Sequence, residues 1–417
     1  GFDAVIGNPP YIHFEKMEKT IRDFYKNNSK KFEFTTYAAR GDMYTLFYEK
    51  GVQLLKEGGF LSFITSNKWM RAGYGEKLRD FFLKETNPIE LIDLGAGMFE
   101  SATVDTNILL LQKGENHHQL KALTLGEDGS ENMSVYIRRH AVSIDYKVGE
   151  SWTILSEIEQ SIKKKIEAVG TPLKDWDIKI NRGILTGLSE AFIISKEKRD
   201  ELVKVDPKSA EIIRPILRGR DIKRYEVNFQ NLYLINTHNG YVSEYGETVP
   251  PIKVDDYPAI KDWFENGNWN TKLKLGTNIE RLTKRTDQGV TPYNLRSLAY
   301  MDDFSKLKIL FSEIVQSPQF YLDENNFIMN DTVTFISGLQ LEYLVKYLNS
   351  RIIFSSYKSL YAGGCLGTNG IRVKKTFLQN LPIPKIQINS VKDEDIEKEV
   401  QEIIGLSSHE VHHLSEM

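Results

Sequence analysis

The feature that most restricts the fold is the passage from an apolar run, Phe2-Asp3-Ala4-Val5-Ile6, straight into Gly7-Asn8-Pro9-Pro10-Tyr11. A short, nearly continuous apolar run reads as a strand buried on both faces, the kind found inside parallel sheets. Two prolines in succession cannot extend it. Each lacks the N–H that a ladder needs, and each biases the residue before it to an extended conformation. The strand is therefore expected to span Phe2–Ile6 and to lead into a stiff loop at its carboxyl end. Strand and helix signals alternate after it. Asp42 reads as an N-cap, with Met43, Leu46, Phe47, Leu54 and Leu55 on the inner face of a helix that Gly58-Gly59 stops. Residues 60–65 read as strand, 76–85 as an amphipathic helix, and 89–94 and 107–111 as two further strands. The loop joining those last two strands, with Gly95, Gly97 and Phe99, leaves no room for a crossover helix, so they should be antiparallel neighbours. Such alternation predicts an α/β fold with a mostly parallel sheet.

The remainder has a different texture. Residues 114–148 are polar with one strand expected near 135–139, and 152–169 read as helix. Beyond Thr171-Pro172 come short strands, turns and helices punctuated by Pro and Gly, then helix at 339–349 and a glycine-rich loop at 361–370. Leu381-Pro382-Ile383-Pro384 closes that region, and 392–404 read as a charged helix. The expected division is a first domain at 1–150, a helical connector at 151–170, a second domain at 171–387 and a charged helix and tail at 388–417. A length of 417 residues accommodates this. No run of about 18 apolar residues marks a membrane span. The single cysteine, Cys365, excludes an internal disulfide and fits a reducing prokaryotic cytoplasm. With a formal net charge of −3 the chain is not globally basic, so contact with nucleic acid would need a local basic face.

Asn8-Pro9-Pro10-Tyr11 carries the chemistry. The exocyclic amine of adenine is a poor nucleophile because its lone pair is delocalised into the ring. A site that methylates it must hold both amino hydrogens on acceptors that favour a more tetrahedral nitrogen. The Asn8 side-chain oxygen and the Pro9 carbonyl offer two such acceptors. Tyr11 offers a face for stacking, worth roughly 1–3 kcal/mol per base. Catalysis would then be mostly positioning, with no general base required.

Residues 2–11 resemble motif IV of the TaqI-like adenine-N6 DNA methyltransferases of type II, IIG-like restriction–modification systems. The resemblance continues through Gly41-Asp42-Met43-Tyr44-Thr45-Leu46-Phe47, Leu54-Leu55-Lys56-Glu57-Gly58-Gly59-Phe60, Thr65-Ser66-Asn67-Lys68-Trp69 and Leu94-Gly95-Ala96-Gly97-Met98-Phe99. Downstream, Ile180-Asn181-Arg182-Gly183-Ile184-Leu185-Thr186-Gly187, Arg214-Pro215-Ile216-Leu217-Arg218-Gly219-Arg220-Asp221-Ile222 and Leu381-Pro382-Ile383-Pro384 resemble that family's target-recognition domain. The resemblance implies an incomplete Rossmann-like methyltransferase sheet, its C-terminal half, followed by a mixed α/β target-recognition domain. It implies that Asn8 and Pro9 grip the target amine, with Tyr11 and Phe99 on either side of a flipped base. It implies S-adenosylmethionine as cofactor, its adenine lined by Pro10, Met43 and Phe47, although Met43 and Phe47 fit a helical core face equally well. The family's glycine-rich loop that holds this cofactor precedes motif IV, and Gly95-Ala96-Gly97 is no substitute because no helix follows it. The chain is therefore expected to be part of a longer protein and inactive alone, with any nuclease of the system, fused or separate, lying elsewhere.

Double-stranded DNA is the expected partner. Residues 214–225 hold five basic side chains, Arg214, Arg218, Arg220, Lys223 and Arg224, against one acid, Asp221. The expected DNA contacts are Arg182, Thr186, Arg218, Arg220, Lys223, Lys374 and Lys375, with Asp323, Asn325, Asn326 and Asn330 as weaker base-reading candidates. His409, His412 and His413 stand in a polar tail and predict no metal site. The alternatives are a DNA-binding specificity module without catalysis of its own, or a methyltransferase acting on protein glutamine or RNA.

Overall fold

A computed structural model describes residues 1–28, 34–95, 105–125, 133–362, 365–366 and 370–416. Two compact units divide between Ser161 and Ile162, within the helix Glu157–Val169 that occupies the expected connector.

The first unit is built on a six-stranded sheet: β1 (Phe2–Gly7), β2 (Leu55–Ser66), β3 (Thr86–Gly95), β4 (Thr106–Lys113), β5 (Leu120–Thr124) and β6 (Val142–Ile144), in the order β1-β2-β4-β3-β5-β6. Its helices include α1 (Lys19–Asn28), α2 (Tyr44–Leu54) and α3 (Glu76–Glu85). Strand β1 runs parallel to β2, with Ala4 opposite Phe60 and Gly7 opposite Phe63, and α2 lies on the crossover between them. Strand β4 enters antiparallel between β2 and β3, as the short β3–β4 connection requires, and β3 pairs parallel with β5. Strands β1, β2, β3 and β5 thus share one direction, and their carboxyl ends meet on one side of the sheet.

One face of this sheet is covered by α2 and α3. Tyr44, Tyr48 and Val52 of α2 point inward at four-residue spacing, joined by Leu78 and Phe82 of α3 and by Trp69 and Trp152. Gly51 lets α2 close onto β2, because a Cβ there would overlap the Leu61 side chain. The inner face differs from the expected one: Phe47 and Leu54 are exposed, and α2 ends before Gly58-Gly59, which lie within β2. Tyrosines occupy the core positions because their hydroxyls find partners, Tyr44 on Tyr74 (2.7 Å) and Tyr48 on Thr65 (3.1 Å).

The other face buries Ile92, Leu94 and Leu123 against Tyr136, Ile137 and Ala141. The segment expected to be a strand near 135–139 is instead the helix Met133–His140, whose Tyr136 and His140 rings meet one turn apart, tilted by 32° with centroids at 4.3 Å. Towards β1 this face is bare, with Phe2 60% and Ile6 83% exposed. The expectation of a first strand buried on both faces holds only on the Val5 side, where Val5 packs against the core.

The second unit has two four-stranded sheets. In one, Phe320–Asp323, Lys308–Ser312, Val333–Gly338 and Ile178–Arg182 pair antiparallel in that order. The other orders Ile328–Met329, Ile213–Leu217, Leu232–Ile235 and Ile193–Ser195. Both contribute to one core, with Phe192, Phe264, Leu310, Phe335 and Trp263 among its residues. Helices Leu341–Asn349 and Asp393–Ile404 fall where the sequence placed them, and the three C-terminal histidines lie on a further helix, Ser408–Glu416. Among the described residues no group of three or more His, Cys, Asp or Glu side chains is placed to hold a metal ion, and no helix is long and apolar enough to cross a membrane.

Lys308 and Asp323 are both fully buried and paired at 2.7 Å. Asp323 also takes the backbone N–H groups of Asn325 and Phe327, and Lys308 donates to the Phe304 carbonyl. Asp323 is therefore a hairpin anchor and not a residue that reads bases. Removing one partner of such a pair strands a charge in the core. Asp323→Ala is expected to lower stability by about 3–5 kcal/mol in urea denaturation. A loss below about 1 kcal/mol would show that the pair does not hold the hairpin.

Candidate functional site

The loop after β1 sits at the carboxyl end of a parallel strand. Asn8 is exposed, Pro9 buried, and Pro10 and Tyr11 half-buried. The Tyr11 hydroxyl donates to the Ile64 carbonyl of β2 (3.2 Å), and its ring meets Tyr44 edge-on at 6.3 Å. The chain leaving the motif is laced to the start of α2: Met43 N–H donates to the Ile12 carbonyl (3.0 Å) and Phe14 N–H to the Gly41 carbonyl (3.1 Å). Both ends of Asn8-Pro9-Pro10-Tyr11 are thereby fixed, by strand pairing before it and by α2 after it.

Asp42 lies at this junction and is not the N-cap that the sequence suggested. Its carbonyl, not its carboxylate, receives the Thr45 N–H (3.1 Å) and hydroxyl (2.8 Å). The carboxylate is buried, with Oδ2 3.9 Å from His13 Nε2 and Oδ1 without a hydrogen-bond partner. Burial raises its pKa, against the opposing pull of His13 and of the Ile12 and Met43 N–H groups. Tyr74, its hydroxyl on Tyr44, is pushed up to about 12, chiefly by burial. Met43 is half-buried and Phe47 is 43% exposed, one turn apart, so Phe47 is a surface aromatic beside the motif's helix and not part of the core.

A polar cluster missed in the sequence lines the adjoining strand ends. Thr65 donates to Asn107 Oδ1 (3.1 Å), which also takes the Trp69 indole N–H (3.1 Å). Asn67 donates to Asp93 Oδ1 (2.9 Å), and the same oxygen accepts the Gly95 N–H (3.2 Å). Polar residues closing apolar strands on one side of a sheet were the available signal. Phe99 lies outside the described residues.

In the second unit a cleft of about 560 Å³ is lined by Lys174, Lys179, Asn181, Tyr300, Lys375 and neighbours, including the acids Glu244, Asp302 and Asp303. A smaller cleft of about 270 Å³ shares Ala299 and Tyr300 with it and adds Arg182, Gly183 and Arg296. Of the expected DNA contacts, Arg182 and Lys375 come together here; Lys174, Lys179 and Arg296 were missed because they come from separate segments. Arg182 is exposed and donates to the Asp331 carbonyl (2.7 Å), and Lys375 donates to the Ile180 carbonyl (2.7 Å). Lys374 is exposed next to Lys375. Gly183 permits the turn to press on the neighbouring strand connection, since a Cβ there would overlap the Asn330 carbonyl.

Two expected contacts are corrected. Thr186 is 4% exposed and cannot reach a groove from this position. Its carbonyl accepts from Arg285 (2.6 Å), a buried guanidinium that also serves the carbonyls of Asp287, Pro292 and Asn294 and lies 4.4 Å from the Phe192 ring. Burial brings Arg285 down to about 10. Arg218 is bound bidentately to Asp221 at 3.0 Å, so its charge is spent inside the fold. Arg224 likewise pairs with Asp393 and with the Asn349 carbonyl, leaving Arg220 and Lys223 as the exposed cations of that stretch next to the half-buried Arg214.

Two protein-family models match separate stretches of the chain. The family model of the Eco57I restriction-modification methylase matches residues 1–99, and that of the TaqI-like C-terminal specificity domain matches residues 214–383. The type II methyltransferase M.BstVI of Geobacillus stearothermophilus is 23% identical over 453 residues, covering 99% of this chain and 74% of that protein. The adenine-specific methyltransferase BrxX of Escherichia coli O9:H4 (strain HS) is 32% identical over 299 residues, covering 68% of this chain and 23% of that protein. The solved structure of the type IIL restriction-modification enzyme MmeI in complex with DNA aligns with a TM-score of 0.53 at 12% identity, over 99% of this chain and 56% of that chain, and so shares its fold.

The buried Asp42 carboxyl yields a pH test. Below about 3.8 it is protonated both folded and unfolded, and the penalty for ionising it in the fold grows as pH rises from there through its raised folded value. Asp42→Asn is therefore expected to raise the melting temperature at pH 7, by an amount that shrinks as pH falls toward 4. A variant less stable than the parent at pH 7 would contradict the sign.

Proposed function

We propose, from a chain that carries a restriction-modification methylase segment and a TaqI-like specificity domain, that it belongs to a site-specific DNA adenine-N6 methyltransferase. The observation that supports this best is the stiff loop at the end of β1, with Asn8 exposed and Tyr11 tied to β2 through Ile64. In this reading Asn8 Oδ1 and the Pro9 carbonyl accept the two amino hydrogens of an adenine flipped from the duplex, and Tyr11 supports one face of the base. Extrusion is required because the amine is out of reach in the stack. Neither acceptor needs to take a proton in the rate-limiting step; their task is to fix the lone pair towards the incoming methyl group.

S-adenosylmethionine, when bound, supplies an electrophilic methyl group on sulfonium. Pro10, Met43 and Phe47 would line its adenine. Phe47 fits such a role: it is exposed on a helix whose neighbouring Tyr44, Leu46 and Tyr48 are buried. The unpaired edge of β1 and the bare face around Phe2 and Ile6 would receive the donor-binding half of the sheet, since parallel sheets are ordinarily covered on both faces. The cations around the second unit's cleft would follow the DNA backbone, in the cytoplasm, and a nuclease of the same system would be a separate or additional part.

Asn8→Ala in the full-length protein is expected to lower methyl transfer to duplex DNA by roughly 100-fold or more while leaving DNA affinity within a few-fold, read by tritium transfer and by gel shift. Equal loss of both would show that Asn8 supports the fold and not the amine. The 417-residue chain should also bind labelled duplex with an affinity that falls steeply with salt. Undetectable or salt-independent binding at low salt would sink the DNA reading.

A further inference from the structure

We propose that Asn181 reads an adenine at one position of the recognised sequence and that Asp303 holds its amide in the reading orientation. The inference rests on the DNA-binding reading of the second unit and adds to it the residue that discriminates.

Asn181 lies on the strand Ile178–Arg182, half-buried, on the wall of the larger cleft and one residue before Arg182 of the smaller one. Its Nδ2 donates to Asp303 Oδ2 at 3.2 Å. Asp303 is 4% exposed, and its other oxygen accepts from Lys306 (3.1 Å), which is in turn paired with Glu244 (2.6 Å). A carboxylate held between two donors can only accept. It therefore selects the nitrogen end of the Asn181 amide and disfavours the flipped arrangement, in which two oxygens would face each other. One amide N–H is engaged, which leaves the second N–H and Oδ1.

That remaining donor and acceptor match the N7 and N6 amino edge of adenine in the major groove. Guanine presents two acceptors on the same edge and would set its O6 against Asn181 Oδ1. The surroundings divide the work. Lys179 and Lys375 line the same cleft with their charges suited to phosphate, while Asn181 carries a neutral amide oriented by Asp303. Tyr300 steadies the end of the strand through its hydroxyl on the Arg182 carbonyl (3.1 Å) and packs on Phe304 beneath. An amide serving only to satisfy Asp303 would do so equally well with no opening beside it; this one borders a cleft of about 560 Å³.

The test selects a randomised duplex library with the 417-residue chain and with its variants, at two salt concentrations. The parent chain should return a sequence containing a fixed adenine. Asn181→Ala should keep the salt slope and the rest of the sequence but lose preference for adenine at one position by roughly 10- to 100-fold. Asp303→Ala should weaken the preference at that same position and at no other. An unchanged selected sequence from Asn181→Ala overturns the proposal, and so does a uniform loss at all positions accompanied by a lower melting temperature, which marks a structural amide. Absence of salt-dependent binding by the parent chain would overturn the DNA reading itself and this inference with it. If Asp303→Ala does not fold, Asn181→Ala decides alone.

Discussion

The parallel pairing of β1 with β2 is the constraint from which the first unit follows. Parallel neighbours need a crossover, and α2 lies on it, which places the start of that helix beside the loop after β1. The Tyr11–Ile64 and Met43–Ile12 hydrogen bonds then hold that loop to the next strand and to the helix, so its position is set by the sheet and not by its own conformational preferences. Two prolines make the arrangement possible, because the ladder cannot run through them and the chain must leave the sheet there. A carboxylate without a full set of partners, Asp42, is tolerated at this junction at some expense of stability, a pattern found where function and not folding chooses the residue.

The second unit solves a different problem. Its cleft is walled by segments far apart in sequence, and such a surface keeps its shape only if the loops are anchored from inside. Arg285 does this by gathering four backbone carbonyls from two loops around one guanidinium, and the buried Lys308–Asp323 pair does it for the turn at 323–327. Both charges are costly to bury, which makes them poor choices for stability alone and good choices for fixing one arrangement among several.

What the sequence revealed and what it hid follow from how local each signal is. The end of β1 and the loop at Asn8 were legible because proline acts on its immediate neighbours. Helix α3 and the antiparallel β3–β4 pair were legible from periodicity and loop length. The inner face of α2 was misread because hydrophobicity alone favours Phe47 over Tyr44 and Tyr48, and the partners that satisfy the tyrosine hydroxyls come from elsewhere in the chain. The helix Met133–His140 was misread because its apolar residues are few and its packing surface belongs to other strands. Counting charges failed in the same way: Arg218 and Arg224 look available until Asp221 and Asp393 are seen beside them. Lys174, Lys179 and Arg296 carried no signal, since a cleft is a property of the assembled unit.

In the proposed reading the loop at Asn8 presents the amine of an adenine in DNA for methylation. This is tested most directly by incubating duplex DNA with the full-length protein and isotopically labelled S-adenosylmethionine, then digesting the DNA to nucleosides and identifying the labelled product by mass spectrometry. Label is expected in N6-methyl-2′-deoxyadenosine, and Asn8→Ala should abolish it. Label in a methylated cytosine, or in protein or RNA with none in DNA, would contradict it.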